Sequence, residues 1–186
     1  MLVSLFISFL LTLIIIFLPA GWASNHGDLT GVQKFHFELT PRIAGIPVFA
    51  SFFVGLWFVD LPEGFYLAIL FASLPVFVFG LAEDITTRIS PLLRMLATLM
   101  SVAAAFFWLD IGITTLGFGW VDGYLSGYFV LSLLFTLLVV GGLVNAVNII
   151  DGYNGLMVGY CVLVLLAIGY IANILGDDLV LQLSLV

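Results

Sequence analysis

Long apolar runs separated by short polar segments set the pattern of this chain. The runs cover 2–19, 43–59, 65–82, 92–109, 128–144 and 156–175, and a seventh begins at 179–186. Each of the first six approaches the ~17–25 residues that a helix needs to cross a bilayer. Strands of a membrane barrel would alternate apolar with polar positions, whereas these runs are apolar on every side. The pattern predicts an all-α fold, a single polytopic transmembrane helix bundle over 1–186 with six spanning helices and the start of a seventh. The first run is read as a retained helix and not a cleaved leader. No Lys or Arg precedes Lys34, and the run exceeds the ~7–15 apolar residues usual in a leader.

Helix parity sorts the polar segments. The ends of the first, third and fifth predicted helices must share one side of the membrane, which brings together 24–42, 83–94 and 145–154. Composition agrees with a membrane protein: 63% of the 186 residues are hydrophobic and 8% charged, against ~25% charged in soluble domains. The basic residues Lys34, Arg42, Arg88 and Arg94 all fall on that shared side. The positive-inside rule makes it cytoplasmic and puts the N-terminus outside. The other side holds Asp60, Glu63, Asp110, Asp122, Asp177 and Asp178 with no basic residue, so the net charge of −7 largely reflects sidedness. Nucleic-acid binding is excluded for want of a basic patch. A single cysteine, Cys161, permits no intrachain disulfide and no cysteine-based metal cluster, and it is read as a packing residue. The outer link 110–127 is read as an interfacial or re-entrant loop, with Trp120 and Tyr124 suited to the membrane interface.

The three clustered segments carry the candidate chemistry. In the first, His26, Asp28, Lys34, His36, Glu38 and Arg42 could hold a phosphate group or serve only as the topology signal. In the second, Glu83 and Asp84 are adjacent carboxylates whose mutual repulsion a divalent cation or a basic partner would relieve. A helix-surface pair between Asp84 and Arg88, or plain solvation of Glu83, would also account for them. In the third, the polar positions Asn145, Asn148, Asp151 and Asn154 are three apart. On a helix of 3.6 residues per turn each step rotates by about 60°, so Asn145 and Asn154 would face opposite ways. A continuous helix cannot bring all four to one site. Gly152 and Gly155 offer the break: a helix carrying Asn145 and Asn148, a turn presenting Asp151, and a new helix from about Gly155. An ordinary loop with Asn154 as a helix cap leaves Asn145 and Asn148 without a reason.

Residues 145–156 resemble the N-A-x-N-x-x-D-G-x-D-G-L signature of the polyprenyl-phosphate N-acetylhexosamine-1-phosphate transferases, the glycosyltransferase family 4 membrane enzymes. Residues 80–94 are similar to the family's G-x-x-D-D block, and residues 40–45 to its Pro-x-x-Gly-Gly segment. The resemblance implies transfer of a sugar 1-phosphate from a UDP-N-acetylhexosamine to undecaprenyl phosphate, with UMP released. It also implies Mg²⁺ as cofactor, with Mn²⁺ as an alternative. This would be the first membrane step of a bacterial cell-wall or surface-polysaccharide pathway, at the cytoplasmic face of the inner membrane, and a homodimer is compatible with it. Carried over position by position, Asp84 and Asp151 take the catalytic and metal roles, with Glu83 as a further metal ligand. Asn145, Asn148 and Asn154 would contact substrate, and His36, Arg42 and Arg88 would hold phosphates.

The chain departs from the family pattern where Glu83 replaces the first Asp of the pair and Asn154 the second Asp of the signature. Asn can be neither a charged base nor an anionic ligand, so Asn154 is left with hydrogen bonding. Nothing after Asn154 resembles the family's later Gly-Asp-x-Gly-Ser block or its basic His-containing loop. A sequence truncated at its C-terminal side, inactive by itself, is the expectation. A small transporter or channel, or a non-catalytic scaffold, is the alternative. The transporter would place its polar residues at the bilayer midplane, and the scaffold leaves 145–156 unexplained.

Overall fold

The computed structural model describes residues 2–17, 45–86, 89–150 and 156–186, with the side chains of Leu2, Ile16, Asn148 and Ile149 outside that description. Among the described residues the chain forms eight helices and no strand. They are α1 (Leu2–Phe17), α2 (Gly45–Leu56), α3 (Phe65–Thr86), α4 (Pro91–Leu109), α5 (Gly119–Gly127), α6 (Phe129–Ile150), α7 (Leu156–Leu175) and α8 (Asp178–Leu185).

Four stretches, Phe65–Thr86, Pro91–Leu109, Phe129–Val147 and Leu156–Leu175, are long and apolar enough to cross a membrane. The helices α1 and α2 are shorter. At 12 residues α2 spans roughly 18 Å, against a hydrocarbon core of ~30 Å, so the described part of the second predicted run does not by itself cross. Most large apolar side chains are exposed, and α3 buries only Ala72 among its 22 residues. Water could not face such a surface, whereas lipid can, and the chain is a multi-pass membrane protein.

Packing runs in sequence order from α1 through α4 and on to α6. The Phe49 and Phe77 rings stack at 3.8 Å between α2 and α3, and the Tyr66 hydroxyl donates to the Phe53 carbonyl at 3.3 Å. Pro75 sits inside α3, where its ring disrupts the local ladder. One turn of the neighbouring helix answers this, as the Val76 N–H donates to Ser101 Oγ of α4 at 3.0 Å. Ser90 caps α4 by accepting from the Leu93 N–H, Pro91 follows as its first residue, and Asp110 closes the helix in the left-handed region at φ 52°. After α7, Gly176 turns the chain at φ 71°, and Asp177 caps α8. That last helix folds back on α7 and reaches the turn after α2: the Asp60 N–H donates to Gln182 Oε1 at 3.3 Å.

The outer link differs from the expected loop. Residues 111–118 are non-helical and 119–127 form α5. The non-helical stretch is tied to α6 by side-chain hydroxyls. The Ile113 N–H donates to Thr136 Oγ1 at 2.9 Å, and Ser132 Oγ donates to the Ile113 carbonyl at 3.1 Å. Non-helical backbone beside apolar helices gains from such partners, and both bonds are part-buried. On α5 the exposed Trp120 and Tyr124 continue to Tyr128 at steps of four, a single aromatic stripe.

Candidate functional site

Three helix ends meet at one cleft of about 330 Å³, lined by Gly80, Glu83, Asp84, Arg94, Thr98 and Asn145 among others. Helical spacing explains the composition of each wall. From α3 come Val76, Gly80, Glu83 and Asp84, from α4 Arg94, Met95 and Thr98, and from α6 Gly141, Val144 and Asn145. Each set follows three- and four-residue steps and so occupies one face of its helix. The helices α3 and α6 run the same way and α4 runs against them. The C-terminal turns of α3 and α6 therefore stand beside the N-terminal turn of α4. Gly141 allows the close approach of α6, since a Cβ there would lie 2.9 Å from Leu99 Cδ2.

The strongest polar contact in the cleft joins Glu83 to Arg94. The guanidinium Nη1 donates to both Glu83 Oε1 and Oε2 at 2.8 Å. Both side chains are about one-third exposed, 32% for Glu83 and 30% for Arg94, so the pair contributes only ~0.2–1 kcal/mol to stability. Of the alternatives open for the adjacent acids, Glu83 takes a basic partner and is not simply solvated. Arg94, given no site role by its sequence position, is a wall of the cleft. The eleven-residue spacing of the pair crosses a helix break, which hides it from any one-helix reading. The signal that could have found it is Ser90-Pro91, a helix start that folds the flanking turns against each other.

Of the residues expected at the site, Glu83, Asp84 and Asn145 come together here. The helix α6 continues through Asn145 and Asn148 to Ile150, and α7 begins at Leu156; the expected break near Gly152 and Gly155 lies outside the described residues. Asp151, Asn154, His36, Arg42 and Arg88, and the side chain of Asn148, lie outside the described residues. Among the described residues no group of three or more His, Cys, Asp or Glu gathers as a metal cluster would require. Asp84 and Asn145 nevertheless bring oxygen donors to one cleft, the type a hard divalent cation takes.

Comparison with known proteins falls on this part of the chain. The family model described as glycosyl transferase family 4 matches residues 66–186. The chain is 28% identical over 171 residues to the probable undecaprenyl-phosphate N-acetylglucosaminyl 1-phosphate transferase of Bacillus subtilis (strain 168), an alignment covering 86% of this chain and 44% of that relative. The chain thus spans less than half the length of the curated relative it matches. No solved structure matches it. The matched range contains every wall of the cleft, and the chain belongs to glycosyl transferase family 4.

Proposed function

We propose that the full-length protein transfers a sugar 1-phosphate from a UDP-N-acetylhexosamine to undecaprenyl phosphate, at the cytoplasmic face of a bacterial inner membrane, with six helices crossing in this part of the chain. The observation that carries this reading is the convergence of Glu83, Asp84, Arg94 and Asn145 from three helices on one cleft. In a chain with 8% charged residues, charge collected at one end of the helices supports a site for ionic substrates. The transporter alternative would set these groups near mid-membrane. Instead Glu83 and Asp84 lie in the last turn of α3 and Arg94 in the first turn of α4.

In the proposed reaction an oxygen of the lipid phosphate bonds to the phosphorus that bears the sugar. The bridge between the two phosphates of UDP breaks, and its electron pair leaves on UMP. A phosphate monoester has its second pKa near ~6, so the lipid phosphate is already mostly a dianion at neutral pH and no strong base is required. The protein's task is to bring two anions together and hold them in line. Asn145 and Asn148 orient phosphate or sugar groups as neutral donors. Asn154 adds a hydrogen bond, and His36, Arg42, Arg88 and Arg94 supply positive charge. Asp84 and Asp151 would hold Mg²⁺, which when bound supplies charge neutralisation across the phosphates.

The test is UMP release by membranes carrying the complete reading frame, supplied with undecaprenyl phosphate, Mg²⁺ and UDP-N-acetylglucosamine or related UDP-sugars. Asp151→Ala is expected to lower turnover about a hundredfold or more, the scale of losing one group that stabilises transition-state charge. Unchanged turnover in that variant refutes the role of Asp151. No turnover with any UDP-sugar refutes the reaction.

A further inference from the structure

We infer that Glu83 is a positioning residue. It holds the Arg94 guanidinium ready for a phosphate oxygen of one of the two substrates, and it does not bind the metal ion. The inference rests on the sugar-phosphate transfer proposed above and deepens it. Three observations carry it. Both carboxylate oxygens of Glu83 lie 2.8 Å from a single nitrogen, Arg94 Nη1. Among the described residues this is the hydrogen bonding of the Arg94 side chain, so Nε and Nη2 keep the other edge of the fork for a planar, two-point contact with a phosphate. The cleft wall that bears the pair also bears Asp84 and Asn145.

Geometry accounts for Glu at this position. The pair spans from the last turn of α3 to the first turn of α4. An Asp, shorter by one methylene, would stop about 1.5 Å short of the same guanidinium. A carboxylate with both oxygens on an arginine is a poor ligand for Mg²⁺, which would have to displace the arginine to bind it. Of the two adjacent acids, Glu83 is therefore the one that orients Arg94.

The experiment uses purified full-length protein and Glu83→Gln, Glu83→Asp, Arg94→Ala and the double variant Glu83→Gln/Arg94→Ala. Mn²⁺ affinity, read from the free-ion electron paramagnetic resonance signal, is expected to stay within twofold of wild type in Glu83→Gln. A tenfold or greater weakening makes Glu83 a metal ligand and overturns the inference. In the UMP-release assay both Glu83 variants are expected to raise the KM of one substrate about tenfold with a smaller change in kcat. Whether it is the KM of the UDP-sugar or of undecaprenyl phosphate identifies whose phosphate Arg94 holds. The double variant should be no worse than Arg94→Ala, because residues acting through one contact are not additive. Additive losses overturn the inference. The affinity for UMP, measured by titration calorimetry, should follow the same non-additive pattern if the UDP-sugar is the ligand. A wild-type protein that binds Mn²⁺ and UMP without releasing UMP from any UDP-sugar refutes the transferase reading, and the Glu83 assignment is then decided by these two affinities.

Discussion

The helices α3, α4 and α6 enclose two spaces, one at each end, and they treat polar atoms in opposite ways. At the end bearing Asp84 and Asn145, the cleft of about 330 Å³ presents an ion pair, a carboxylate and an amide. At the other end, a larger cavity of about 470 Å³ is lined by Ile69, Val102, Leu109, Ile113 and Val140, with Ser73, Ser101 and Thr136 as its hydroxyls. Each of these hydroxyls is engaged with backbone: Ser73 with the Leu70 carbonyl, Ser101 with the Val76 N–H, Thr136 with the Ile113 N–H and the Ser132 carbonyl. Hydroxyls at this end bond to backbone, while the other end gathers the charged side chains Glu83, Asp84 and Arg94. Volume is therefore a poor guide to chemistry here, because the larger space has no polar group left to offer a phosphate.

That contrast sets the order of expected effects. Asp84→Ala should lower UMP release about a hundredfold or more while leaving the thermal midpoint of the detergent-solubilised protein close to wild type. A comparable loss of midpoint would make Asp84 structural and erase the distinction between the two ends. Gly112→Val should do the reverse. A Cβ at Gly112 would lie 2.5 Å from Phe106 Cε2, and overpacking of this kind costs ~1–3 kcal/mol. The midpoint should fall while turnover per folded molecule persists. Thr136→Val removes the acceptor of the part-buried Ile113 N–H, a loss of about 1 kcal/mol. It should appear first as faster hydrogen exchange within 111–118, and unchanged exchange would show that the hydroxyl tie is dispensable.

Much of this arrangement is legible from residue pattern, and the exceptions have physical reasons. The starts of α3, α4, α6 and α7 fall within one residue of the expected ones, because long apolar runs bounded by Gly, Pro and Asp leave little choice. The ends of α3 and α6 run four and six residues past the apolar stretch, to Thr86 and Ile150. Polarity marks where a helix leaves the hydrocarbon, and its backbone hydrogen bonds can continue beyond that point. The short helix α5 was hidden by three glycines in nine residues, a composition that favours a turn. Tertiary contacts hold it: Leu125 is buried, and Asp122 Oδ1 accepts from the Leu116 N–H at 2.6 Å. At the cleft, Glu83, Asp84 and Asn145 were legible as unusual polarity beside apolar helices, whereas Arg94 required the fold of the α3–α4 hairpin.

The return of α8 onto α2 bears on how such a chain assembles. A Cβ at Gly55 would lie 2.5 Å from Val186 Cγ1 and 2.9 Å from Ser4 Cβ, so that glycine is a socket shared by α1 and Val186. Helices that enter a bilayer one after another can each be stable alone and associate later. The hairpin of α1 and α2 is made early in synthesis, yet its groove is filled only after more than a hundred further residues have been inserted. Packing in this part of the protein thus joins an early-made pair of helices to a segment inserted much later.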